Sequence, residues 1–163
     1  KIIDQLGHGS RFNMKISYSI EKELLGTGGG IQNAISHFED PFIVLSSDTW
    51  TDFDFKTLEL GENLLGHMVF LPNPSNHKEG DASIIEGKVR HDFDGIKYTF
   101  SGLSILSPDL FGQKDNSKTD LWNDFLKPAS IEGLVSGEIF QGKFENLNTL
   151  EDVERLDALL SEE

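Results

Sequence analysis

The chain has 163 residues, a length that supports one domain with its own core. It carries 28 acidic against 14 basic residues, and the resulting net charge of −14 argues against a nucleic-acid partner, whose phosphates it would repel. The absence of cysteine excludes disulfides, thiolate metal sites and cysteine nucleophiles and makes a cytoplasmic location the default expectation; no apolar run is long enough to span a bilayer, so no membrane partner is expected, and no secretory signal is visible.

Ile2, Ile3 and Leu6 suit the tail of a helix closed by Gly7 or Gly9. Met14 to Ile20 alternates apolar and polar residues, which predicts a strand. Gly26-Thr27-Gly28-Gly29-Gly30 then removes side chains where the backbone must approach something closely or take a positive φ. Ile31, Ala34, Ile35 and Phe38 form the stripe of a helix. After Asp40-Pro41, the apolar run from Phe42 to Leu45 predicts a strand covered on both faces, as in a parallel sheet. Asp48 stands where that strand should end. Strand, helix and strand make half of a doubly wound α/β unit. In such sheets the ligand crevice lies outside the carboxyl ends of the strands, so the glycines and Asp48 would face one crevice.

Lys56 to Leu64 predicts a weaker helix, and Gly66 to Leu71 a strand stopped by Pro72. Residues 73–81 have the composition of a loop. Ala82–Ile85 and Gly87–His91 predict short strands, as in a hairpin, and Asp94-Gly95 a turn. Tyr98 to Leu106 predicts a strand with Gly102 inside it, where glycine marks a bulge or a close approach. Ser107-Pro108 suits a helix start, Asp120 to Leu126 a short helix, and Val135 to Phe140 a strand from which Lys143 to Leu147 would return. Thr149 with Asp152 suits a capping box before a terminal helix carrying Leu150, Val153, Leu156 and Leu160. Trp122, Phe125, Leu150, Val153 and Leu156 are expected in the core.

Five words carry a likeness to a known family: Leu25 to Gly30, Ser47-Asp48-Thr49-Trp50, Asn73-Pro74 with His77 and Gly80-Asp81, Tyr98 to Gly102, and Phe144 to Thr149. In this order they resemble the sugar-phosphate nucleotidyltransferases, nearest to the branch of the N-acetylmuramate-1-phosphate uridylyltransferases and mannose-1-phosphate guanylyltransferases. The resemblance implies an α/β fold, a Rossmann-like (GT-A-like) mixed sheet with flanking helices, with residues 1–163 as one domain. It implies a nucleoside triphosphate and a sugar 1-phosphate as substrates, Mg²⁺ as cofactor, and a nucleotide-sugar and pyrophosphate as products. UTP is the expected donor from the likeness to the muramate branch, whose product is a cell-wall precursor. The family's opening Gly-x-Gly-Thr-Arg loop has no counterpart before Gly26. The chain is therefore expected to be the C-terminal portion of the fold, N-terminally truncated and of little or no activity by itself. Strand edges left open by that loss would favour a homodimer.

The resemblance also assigns roles. Asp48 would be the catalytic metal ligand, with Asn146 as a second ligand lacking the usual charge. Gly26, Thr27, Gly28 and Gly29 would hold the nucleotide. Thr99, Gly102 and Asp81 would face the sugar. Plainer readings stand beside these: a tight turn for the glycines, a turn cap for Asp48, a turn residue before a helix for Asn146, a bulge at Gly102, a surface loop for His77 and Asp81, and a solvated loop for Asp52 and Asp54. A different class of function also fits, a non-catalytic module that binds nucleotide-sugars or a partner.

Overall fold

In a computed structural model, residues 1–112 and 117–161 are described. A six-stranded mixed sheet organises them. Its strands are β1 (Phe42–Val44), β3 (Gly66–Leu71), β4 (Ser83–Ile85), β5 (Lys88–Arg90), β6 (Thr99–Leu106) and β7 (Val135–Ile139), in the order β1-β6-β3-β7-β5-β4. The pair β3–β7 is parallel, while β6 runs antiparallel to both β1 and β3. A separate two-stranded ribbon joins β2 (Thr49–Thr51) to β8 (Phe144–Asn146).

The central strand β3 buries both faces, as its unbroken apolar run requires. Met68 and Phe70 point into one cluster with Leu106, Leu126 and Val135, against which Ile31 and Ile35 pack. Val69 points the other way, to Phe53, Leu58, Leu103 and Ile105. The first face is covered by α2 (Gly26–Ala34), by a π-type turn over Leu121–Leu126 and by α3 (Lys127–Ile131). The second is covered by the irregular segment 52–60.

Several expectations fit these elements. α1 (Ile2–Leu6) is closed by Gly7 at φ 55°. β3 ends at Leu71, before Pro72. β4 and β5 form the expected hairpin, turning on Glu86 and Gly87 at φ 51° and 75°. α4 (Leu150–Ser161) starts from the Thr149–Asp152 box.

Others are corrected. Met14 to Ile20 forms no strand, and Met14 and Ile20 are exposed. Alternation fixes a strand only where one face has something to bury against. In place of a helix over 56–64, a 3₁₀ turn covers Phe55–Thr57. Asp54 caps it by accepting from the Lys56 N–H, and Asn63 at φ 58° interrupts helical geometry further on. β1 is an outer strand with an antiparallel neighbour, and its Ile43 is 42% exposed, so it is not covered on both faces. Lys143 to Leu147 does not return along β7; β8 pairs with β2 instead. Of the terminal helix stripe Leu156 is buried, whereas Leu150 and Val153 are exposed and outside the core.

Candidate active site

The carboxyl ends of the parallel strands β3 and β7 open on a cavity of about 690 Å³. Leu71 and Pro72 come from the end of β3, Phe140 and Gln141 follow β7, and Thr99 to Ser101 come from the start of antiparallel β6. The far wall is Asn146, Asn148 and Asp152. Amide and hydroxyl groups alternate here with aromatic rings. A second cavity, about 390 Å³ and more apolar, lies off the end of β1 between Val44–Ser46, Thr27, Ile31, Gly102 and Trp122. Phe100 lines both cavities.

The ribbon brings together two residues far apart in sequence. Thr49 pairs with Asn146, and the Leu147 N–H donates to the Asp48 carbonyl at 2.7 Å. Asp48 sits exposed on the turn before β2, and Asn146 faces the larger cavity. Thr49 Oγ1, beside them, is buried without a hydrogen-bond partner. Among the described residues no group of three or more His, Cys, Asp or Glu is placed to hold a metal. One carboxylate and one amide carbonyl are hard oxygen donors. They suit Mg²⁺, which keeps much of its shell for water and phosphate oxygens.

The glycine run is not an open cradle. It forms the first turns of α2, and the Gly28 and Gly29 N–H groups both donate to the Thr119 carbonyl, at 3.1 and 3.4 Å. Thr27 Oγ1 accepts from the Leu121 N–H at 2.9 Å and donates to Asp120. The missing side chains let segment 117–120 and Phe125 come close. A Cβ on Gly28 would stand 2.7 Å from the Phe125 ring, and one on Gly29 2.7 Å from the Ser117 carbonyl oxygen. Thr27 alone of the four predicted nucleotide residues lines the second cavity; Gly26 and Thr27 both line a shallow surface hollow with Lys118 and Asp124. In an open helix Gly→Ala would stabilise by about 1 kcal/mol. Here the clash with backbone outweighs that gain, and Gly29→Ala should destabilise by about 1–3 kcal/mol. A lowered urea midpoint at unchanged m checks this; a raised midpoint would refute the packing.

The predicted sugar residues separate. Thr99 lines the larger cavity, and its hydroxyl donates to Asn73 Oδ1. Gly102 lines the second cavity, at φ 83°, where the β3–β6 register shifts; a Cβ there would lie 2.5 Å from Ser46 Oγ. Asp81 lines neither described cavity. It accepts from the Phe100 N–H at 2.8 Å and meets His77 Nε2 at 3.1 Å, which ties loop 73–81 to β6. Asp52 is also structural: it accepts from the Lys143 N–H at 2.7 Å.

Among the cavity residues without a site role in the sequence are Gln141 and Asp152. Gln141 gives no sequence signal beyond following a strand. Asp152 signals itself only as a helix cap. The Thr149 hydroxyl, then the Thr149 and Asn148 N–H groups and Arg155, hold its carboxyl below the ordinary carboxylate range. The sign follows directly. A depressed folded value stabilises above the unfolded value of 3.8, and the benefit fades as pH falls through the lower folded value. Acidification below about pH 4 should therefore fray the first turn of α4, as Asp152→Ala should at neutral pH. Hydrogen exchange of the 150–153 amides reads both; unchanged protection in both would mean the cap contributes nothing.

No protein-family model matches the chain. Over 168 residues it is 30% identical to the N-acetylmuramate alpha-1-phosphate uridylyltransferase of Neisseria meningitidis serogroup B, covering 98% of this chain and 73% of that protein. The chain belongs to the sugar-phosphate nucleotidyltransferases. A second nucleotidyltransferase, the D-glycero-alpha-D-manno-heptose 1-phosphate guanylyltransferase of Campylobacter jejuni, is 46% identical over 144 residues, 85% of this chain and 65% of that protein. Among solved structures, HddC from Yersinia pseudotuberculosis superposes with a TM-score of 0.75 at 24% identity, over 98% of this chain and 73% of that one. The same protein complexed with GMP-PN gives 0.76. The fold is thus the expected Rossmann-like α/β nucleotidyltransferase fold, a mixed sheet with flanking helices.

Proposed function

We propose that this nucleotidyltransferase chain binds a nucleoside triphosphate and a sugar 1-phosphate at the ends of β1, β3 and β7, in a site that makes a nucleotide-sugar. One observation carries the reading: a polar and an apolar cavity flank Phe100, and the backbone clasp between Asp48 and Leu147 brings the exposed Asp48 turn next to Asn146, which lines the polar cavity. The polar cavity suits a sugar ring, with hydroxyls and amides for its hydroxyl groups and Phe140 and Phe144 for its apolar faces. The apolar cavity suits the base, between Thr27 and Trp122. In the reaction an oxygen of the sugar phosphate bonds to the α-phosphorus, and the bond from that phosphorus to the bridging oxygen breaks to release pyrophosphate. The protein's task is to align two anions. Mg²⁺ held by Asp48 and Asn146 would neutralise their charge.

The finer parts of the proposal are UTP as donor, a cytoplasmic site of action, and residues 1–163 as one domain with weak activity by itself. The named relatives act with uridylyl and guanylyl groups, so UTP and GTP are both tested. No described helix is long and apolar enough to cross a membrane. Pairing of a second copy along outer strand β1, with exposed Ile43, completes the proposal.

Calorimetric titration with UTP, GTP and mannose 1-phosphate, in Mg²⁺ and in EDTA, tests it. Metal-dependent binding of a triphosphate is expected, and a chain that binds neither substrate class in Mg²⁺ would end the proposal. A second reading, a non-catalytic sugar-nucleotide module, draws on Thr119 occupying the Gly28 and Gly29 N–H groups. Binding of both substrates without pyrophosphate release would favour it.

A further inference from the structure

The larger cavity is neutral on nearly all sides. Its polar lining is hydroxyl and amide: Asn76, Ser101, Gln141, Asn146 and Asn148. Among the described residues that line it, Asp152 is the only charged one, and none is cationic. The guanidinium beside Asp152 is already engaged. Arg155 lies 3.0 Å from Glu145 and 3.4 Å from Asp152, so one positive charge is shared by two carboxylates. That trio carries a net charge of −1. Asp152 remains ionised at neutral pH, because its hydrogen bonds from Thr149 hold its carboxyl low.

The named relatives differ on this point of chemistry. A muramate sugar carries a lactyl carboxylate on its ring, whereas a manno-heptose carries only hydroxyls. A carboxylate entering this cavity would lose water without meeting a cationic side chain among the described lining residues, and would face Asp152. Hydroxyls meet amide and hydroxyl partners there and pay no such penalty.

We infer that the sugar cavity, between the ends of β3 and β7 and the start of α4, selects a sugar 1-phosphate with an uncharged, polyhydroxylated ring and discriminates against one bearing a ring carboxylate. The inference rests on the proposed nucleotidyltransferase reading and narrows its acceptor. Asp152 is a specificity residue in it, acting by like-charge repulsion.

The test uses a matched pair. N-acetylglucosamine 1-phosphate and N-acetylmuramate 1-phosphate differ only by the lactyl group, and mannose 1-phosphate serves as a second neutral ligand. Each is titrated into the chain with Mg²⁺ and UTP, and again with GTP. The expected result is binding of a neutral sugar phosphate, with the muramate compound weaker by about tenfold or more than its neutral match. Equal or tighter binding of the muramate compound would overturn the selectivity while leaving the nucleotidyltransferase reading intact. Failure of all three sugars would overturn both. Gln141→Arg supplies a cation at an exposed cavity position and spares the α4 cap. It should improve muramate binding about tenfold relative to the neutral match; an unchanged ratio would overturn the charge argument.

Discussion

Phe70→Ala should cost the chain about 3–5 kcal/mol, most of the stability of a marginal domain. Phe70 is fully buried near the end of β3, with neighbours β6 and β7 on either side. Its ring lies 5.9 Å from that of Phe100, and β7 approaches closely because Gly137 has no side chain: a Cβ there would stand 3.2 Å from the Phe70 ring. The surrounding strands are held by ladder bonds, so the space left by the ring cannot collapse fully, and the cavity penalty adds to the lost transfer energy. The Phe70 carbonyl also accepts from the Phe140 N–H at 2.8 Å, and Leu71 and Phe140 both line the polar cavity. Loss of packing at Phe70 should therefore loosen the cavity as well as the core. Urea denaturation measures the first and sugar-phosphate affinity the second. A shift below about 1 kcal/mol would show that the sheet does not pack on this ring.

How far the sequence discloses this arrangement depends on the range of the interaction. β3 is legible because its apolar run ends at a proline, and the β4–β5 hairpin because two short strand-like runs, 82–85 and 87–91, nearly adjoin; Gly87, read as the start of the second strand, belongs to the turn instead. Both signals are local. The Thr149–Asp152 cap is local too. The Met14–Ile20 alternation fails because a two-residue period says what a strand would bury, not whether a sheet receives it. β8 fails for the opposite reason: its strand character is evident, but its partner is β2, far back in the chain.

The site divides in the same way. Asp48 and Asn146 stand out singly as a carboxylate past an apolar run and an asparagine before a helix. Only the β2–β8 ladder makes them neighbours. The glycines of α2 announce a close approach, and one is observed. What approaches is the chain itself, at Ser117, Thr119 and Phe125. Composition cannot separate those two occupants, since either requires an absent Cβ. Gln141 and Asp152 escape notice because the cavity is assembled from strand ends that are distant in sequence.

Asp48→Ala should weaken Mg²⁺-dependent nucleotide binding by about 100-fold or more, a loss near 2.7 kcal/mol. The Asp48 carboxylate is exposed on a turn, and it is the backbone carbonyl that accepts from the Leu147 N–H. Truncating the side chain leaves that bond in place, so the urea midpoint should move by no more than about 0.5 kcal/mol equivalent. The effect should therefore be confined to the metal. In EDTA the variant and the parent chain should bind nucleotide equally weakly, and in Mg²⁺ they should separate. Equal losses in both buffers would instead make Asp48 a direct or structural contact and remove it as a metal ligand. Asn146→Asp provides the reciprocal test, because it restores a charge to the other side of the ribbon at the same size. If the two residues share one ion, Asn146→Asp should tighten the Mg²⁺-dependent binding of the parent chain and recover part of the loss in Asp48→Ala. If its effect is the same in both backgrounds, the two positions do not act on a common metal.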